Sequence, residues 1–108
     1  MNRRMKISVL FRKENESWVG QCLEYDIAAQ GKTLPLAKTA LCHSIAGQMF
    51  LDAKDGKDVF EGIAPAPKYY HETFEVAEKL AYRFHFNLEF SDEECMPEID
   101  QDVRLALV

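Results

Sequence analysis

The stretch QCLEYDIAAQGKTLPLAKTALCHSIAGQMFLDA, residues 21–53, decides the fold. Its first half reads as the end of one strand, a turn at Glu24-Tyr25-Asp26, and a short strand from Ile27 to Gln30. Its second half reads as one long helix. Gly31 can take the positive φ that a tight strand-to-helix turn uses, and Thr33 is placed to cap the helix by accepting a bond from a free N–H. Pro35 falls in the first turn, where a missing N–H costs nothing, and Gly56 is a natural stop.

On a helical wheel, Leu34, Ala37, Leu41, Ile45 and Met49 share one stripe. The opposite side carries Leu36, Ala40, His43, Gly47, Phe50 and Leu51 and is also mostly apolar. A helix with its back to water would show Lys and Glu there. The expectation is therefore a helix covered from two directions, with a sheet beneath and another element or chain above. His43 then reads as a packed, hydrogen-bonded histidine under that cover.

Upstream, Ile7, Val9 and Phe11 alternate with Lys6, Ser8, Leu10 and Arg12, a half-buried strand over residues 5–12. Glu14-Asn15-Glu16-Ser17 reads as a four-residue hairpin loop and residues 18–23 as the returning strand, so the first three strands form a meander. Downstream, Pro65 and Pro67 favour an extended connector. A second helix starts near Pro67 or Lys68, with Tyr70, Phe74, Ala77 and Ala81 on one side, widened by Tyr69, Val76 and Leu80, and a Glu75–Lys79 pair at i, i+4. That helix is the candidate cover over Leu36, His43 and Phe50.

YRFHFNLEF, residues 82–90, alternates strictly and reads as a strand whose aromatic row lies along the first helix. Residues 91–97 form an acidic loop, and residues 98–108 read as a last strand, open to exchange with a second subunit. The fold expected is α+β, an antiparallel or mixed sheet in the order β-β-β-α-α-β-β with both helices on one face. One domain spans residues 1–108, with a βββα core over 1–56 and the connector, second helix and C-terminal strands over 57–108.

With 47% hydrophobic and 29% charged residues, the 108-residue chain is composed like an ordinary globular protein. No run reaches the roughly 18–20 apolar residues of a membrane span, and the first residues do not read as a secretory leader. Three cysteines without a CxxC spacing suit a reduced, cytoplasmic protein. The net charge of −5 disfavours nucleic acid as the main partner. Residues 1–13 are purely basic and residues 89–102 purely acidic in their charges, so the two ends can attract within the fold or across a dimer.

Catalysis finds no constellation. The first strand offers no acid for a two-metal nuclease centre. The three histidines, His43, His71 and His85, stand at no metal-ligand spacing. Cys42 and His43, adjacent on a helix, diverge by about 100° and cannot act as a nucleophile–base pair. Neither an enzyme, a metal site nor a cofactor is expected.

The segment CLEYDIAAQGKTLPLAKTAL resembles the HicB-like antitoxin family, through Gln30-Gly31, Thr33-Leu34 and Ala37 opening the main helix, and through Trp18-Val19-Gly20 on the strand before. The resemblance covers residues 5 to 53 well. It implies a partial RNase H-like fold, β-β-β-α-β, without nuclease activity, and a small RNA-cleaving toxin as partner. It also implies assembly as a homo-oligomer, a dimer or tetramer. The C-terminus lacks the basic helix pair through which many members bind DNA, so operator binding is not expected. The partner-binding residues expected are Trp18, Tyr25, Asp26, Leu36, His43 and Phe50. The alternative is a stand-alone oligomer holding a small ligand in an apolar pocket lined by Trp18, Tyr69, Tyr70 and the phenylalanine row.

Overall fold

The computed structural model describes residues 4–86 and 98–106. Strand β1, Arg4–Glu14, turns into β2, Ser17–Cys22, through a two-residue loop rather than four. Asn15 takes φ 56° there, a conformation asparagine tolerates better than most residues. Strand β3, Ala28–Gly31, pairs antiparallel with β2. Helix α1, Leu34–Lys54, follows, then α2, Lys68–Glu75, and the two-residue strand β4, Glu78–Lys79. The last strand, β5, Glu98–Ala106, runs parallel to β1. The result is a five-stranded mixed sheet in the order β3-β2-β1-β5-β4.

Residues 98–106 therefore insert between β1 and β4 of their own chain. The β1–β5 register sets Arg4 opposite Glu98 and Lys6 opposite Asp100, so the basic and acidic ends meet as neighbouring strands. Residues 87–97, with the whole acidic loop, Cys95 and the end of the aromatic run, lie outside the described residues, as does Arg3.

The main core lies on one face of the sheet. Ile7, Val9 and Phe11 of β1, Cys22 of β2 and Val103 of β5 pack against Ala37, Leu41, Ile45 and Met49 of α1, the inner stripe of the wheel. Thr33 caps α1, its Oγ1 accepting from the Leu36 N–H at 3.3 Å. Gly31 is needed for closeness, not for a positive φ: a Cβ there would sit 2.6 Å from the Ala37 backbone nitrogen. The helix stops at Gly56, which takes φ +70°.

The expectation of both helices on one face is corrected. Leu10 and Leu23 point to the reverse face and are buried there with Ala66 and Phe74, with Tyr70, Ala77 and Ala106 around them. Helix α2 packs on that reverse face through Tyr70 and Phe74, as its period predicts, whereas Val76 and Ala81, expected on the same side, are exposed beyond its end. Tyr70 and Phe74 cover Leu10, the one apolar side chain in β1's otherwise polar row. Sealing two leucines away from water contributes about 1.5–3 kcal/mol each, which outweighs any gain from α2 lying over α1. Helix α2 is also shorter than expected, so Glu75 and Lys79 do not pair along a helix. The exposed i, i+4 pair is Lys68–Glu72 at 3.7 Å.

The chain changes face twice. Val59, Phe60 and Ile63 pack on the main core. Asp26 then donates its N–H to the Ala64 carbonyl at 2.8 Å, and the Ala66 N–H bonds the Leu23 carbonyl at 2.9 Å on the reverse side. After α2, β4 takes the chain around the edge of β5, and Leu80 rejoins the main core. Residues 82–86 are extended but form no ladder. Gln101 replaces the missing strand partner: its Oε1 accepts from the Phe84 N–H at 2.7 Å and its Nε2 donates to the Phe84 carbonyl at 3.0 Å. The alternation holds without the strand, because Tyr82, Phe84 and Phe86 face the core and Arg83 and His85 face outward.

Candidate functional site

Helix α1 presents the feature that calls for explanation. Its inner stripe is fully buried from Ala37 to Met49 and partly buried at Leu34, and its flank is touched by residues 82–86: the Lys38 ammonium lies 4.3 Å from the Tyr82 ring centroid, and the Cys42 thiol donates to the His85 carbonyl at 3.5 Å. Among the described residues the outer face has no such neighbour. Leu36 is 55% exposed, Phe50 48% and Leu51 53%, and His43 and Gly47 between them are exposed as well. The cover expected from α2 is not there, and His43 is not the packed histidine of the sequence reading. From Leu36 to Leu51 this face carries one ionisable group, His43, and no carboxylate. An α-helix of 21 residues is about 31 Å long, so the apolar strip is far longer than an isolated exposed leucine.

Of the other residues expected to touch a partner, Trp18 is half-buried against the main core, opposite Gly31 in the β2–β3 register. Tyr25 lies over Phe60, ring centroids 4.7 Å apart, and caps that end of the core. Burial, aided by the Glu24 carboxylate, pushes its hydroxyl pKa up. Asp26 is exposed, and its Oδ1 accepts from the Gln21 amide at 2.9 Å. The six residues thus divide: Leu36, His43 and Phe50 form one strip, while Trp18, Tyr25 and Asp26 belong to the sheet and its rim.

The residues expected to line a ligand pocket are divided by the sheet. Trp18, Phe84 and Phe86 pack on the α1 side. Tyr69 and Tyr70 are on the α2 side, where the Arg12 guanidinium stacks 5.1 Å from the Tyr69 ring centroid and donates to its hydroxyl.

Three polar arrangements hold the framework and were not visible in sequence. Glu24 reaches back to Ser8, its oxygens accepting from the backbone N–H at 2.6 Å and the hydroxyl at 2.7 Å. Asp52 is buried on α1, and its carboxylate accepts from the Gln48 amide at 3.0 Å and from the Phe60 N–H at 2.7 Å. Phe60 has φ 63°, a costly conformation for a bulky residue, which its burial and this bond over-determine. Arg104 grips Asp102 through two contacts of 3.3 Å, donates to the Phe74 carbonyl at 3.0 Å and stacks 4.2 Å from the Phe74 ring.

Cys22 and Cys42 are free thiols. Burial pushes Cys22 up to about 11 and raises Cys42 as well, which keeps both protonated and weakly nucleophilic at neutral pH. His71 bonds the Ala66 carbonyl at 3.1 Å. Among the described residues no group of three or more His, Cys, Asp or Glu is placed to hold a metal ion, and no helix is long and apolar enough to cross a membrane. No protein-family profile matches the chain, and neither a curated protein nor a solved structure matches it.

Proposed function

We propose that this chain is a non-catalytic protein-binding module of the HicB antitoxin type, acting through the outer face of α1. The observation that carries this reading is the bare apolar strip of Leu36, Phe50 and Leu51 on the helix that anchors the core. A soluble helix keeps such a strip at the expense of solubility, and a second polypeptide that covers it removes that expense. The chain order β1-β2-β3-α1, closed by β5, supports the family reading, since it follows the β-β-β-α-β of the resemblance with α2 and β4 placed between. The free, protonated thiols suit a reducing cytoplasm.

The partner that the resemblance implies is a small RNA-cleaving toxin. Coexpression of the tagged chain with the product of a short, basic neighbouring reading frame tests this. The expected result is co-purification at fixed stoichiometry with loss of RNA cleavage. The double variant Leu36→Asp, Phe50→Asp is expected to weaken capture tenfold or more. Absence of any complex would overturn the antitoxin reading, and undiminished capture by the double variant would overturn the assignment of α1.

A further inference from the structure

We propose that the free edge of β3 accepts one extended segment of a protein partner, added antiparallel to β3 as a further strand of the sheet. This rests on the reading of the chain as a protein-binding module and names the kind of segment it takes.

The β2–β3 ladder fixes which backbone groups face outward. The Cys22 N–H donates to the Ile27 carbonyl at 2.9 Å, and the same register sets Gly20 opposite Ala29 and Trp18 opposite Gly31. Bonded and non-bonded pairs alternate along an antiparallel ladder. Ile27, Ala29 and Gly31 therefore bond inward to β2, and Ala28 and Gln30 turn their N–H and C=O groups outward. At the preceding outward position the connector intervenes, the Asp26 N–H donating to the Ala64 carbonyl at 2.8 Å. Past that point no group among the described residues bonds the outward N–H and C=O of Ala28 and Gln30. An extended backbone offers donors and acceptors at their spacing.

The edge also lacks the usual guards. Exposed edge strands are blunted by charge, proline, a bulge or brevity. Strand β4, at the opposite edge of the sheet, has two residues, both charged. Strand β3 has four, pairs without a bulge, and holds neither charge nor proline.

Charge at the two ends sets the order of the added strand. Exposed Lys32 and the amino end of α1, whose first turn holds no acid, lie at one end, and exposed Asp26 lies at the other. Antiparallel pairing gives the stronger ladder per residue. A strand running that way matches when a carboxylate comes first, opposite Lys32, and a base comes last, within reach of Asp26. Its side chains opposite Ala29 and Gly31 fall on the α1 side of the sheet. There a Cβ on Gly31 would lie 2.9 Å from the Leu36 Cβ, so Leu36, which is 55% exposed, receives an apolar residue of the added strand. The edge of β3 thus continues the apolar strip of α1.

The probe is the capped peptide Glu-Val-Thr-Val-Lys, with amide exchange of the full chain followed by NMR. At millimolar peptide, exchange at Ala28 and Gln30 is expected to slow tenfold or more. The charge-reversed peptide Lys-Val-Thr-Val-Glu is expected to bind at least threefold more weakly. Ala28→Pro removes an N–H that the chain does not use, at the first position of an edge strand, where proline is tolerated. It is expected to raise the peptide's dissociation constant tenfold or more, while Ala28→Ser binds like wild type. Unslowed exchange in the wild type, or an Ala28→Pro chain that binds as tightly, would overturn the proposal, and equal binding of the two peptides would overturn the assigned order. If a captured partner needs Leu36 and Phe50 but leaves Ala28 and Gln30 exchanging at the free rate, strand addition fails and the docking reading of α1 stands. If the peptide protects β3 in a chain that captures no toxin, strand addition stands and the antitoxin reading fails.

Discussion

Cys22 and Asp52 show what single buried groups contribute. Cys22 is 1% exposed and faces α1. Burial lifts its pKa from 9.0 to about 11, with backbone bonds opposing and the Glu24 charge reinforcing the shift. The folded chain holds this proton after the unfolded chain has lost it. Stability is therefore complete below pH 9 and falls as pH rises towards 11, by at most about 1.4 kcal/mol per pH unit. Urea midpoints measured from pH 8 to 10.5 are expected to fall more steeply in wild type than in Cys22→Ala; equal slopes would contradict this. Asp52 ties the end of α1 to the backbone of Phe60. Its replacement by Ala leaves that N–H buried and unsatisfied, an expected loss of about 1–3 kcal/mol in urea unfolding. A change below about 0.5 kcal/mol would show that the loop holds Phe60 without the carboxylate.

At the scale of elements, α1 was legible because its period, cap and stop agree. Ala37, Leu41, Ile45 and Met49 are buried as the wheel requires. The place of α2 is not legible in its own period, which gives an apolar side but not the face it covers; Leu10 stands alone among Lys6, Ser8 and Arg12. It marks a second buried face, and pairing it with Leu23 could have revealed this. The ladder expected over residues 82–86 failed for a reason alternation cannot express: the Gln101 side chain takes the two backbone bonds of Phe84. The α2 docking has its own test. Arg104 bonds the last carbonyls of α2 and stacks on Phe74. Arg104→Met keeps much of the stem but loses the bonds, so amide exchange across residues 68–75 is expected to accelerate about tenfold, equivalent to about 1.4 kcal/mol, with α1 unaffected. Unchanged exchange in α2 would mean that Phe74 and Tyr70 alone hold it.

For the whole molecule, the uneven charge of the chain has a structural outlet. The basic start and acidic end become β1 and β5, adjacent and parallel, with Lys6 opposite Asp100. Parallel pairing of β1 and β5 needs a long crossover connection, here made of β2, β3, α1, the connector, α2 and β4, and it closes the sheet around β1. Among the described residues, the outside of α1 remains open after this closure. The apolar character of that face is legible in residues 36–51; that α2 and the other described elements leave it exposed is not, because periodicity shows that a cover is needed and not which element supplies it.

The central claim is that the outer face of α1 is covered by another polypeptide in the assembled protein. Hydroxyl-radical footprinting at increasing protein concentration, with and without the captured partner, reads this directly. Tyr69, 53% exposed on the far side of the sheet, serves as the internal standard. The account predicts that Leu36, Phe50 and Leu51 become protected several-fold on assembly while Tyr69 keeps its reactivity. Reactivity of all three undiminished, relative to Tyr69, under every condition would contradict it.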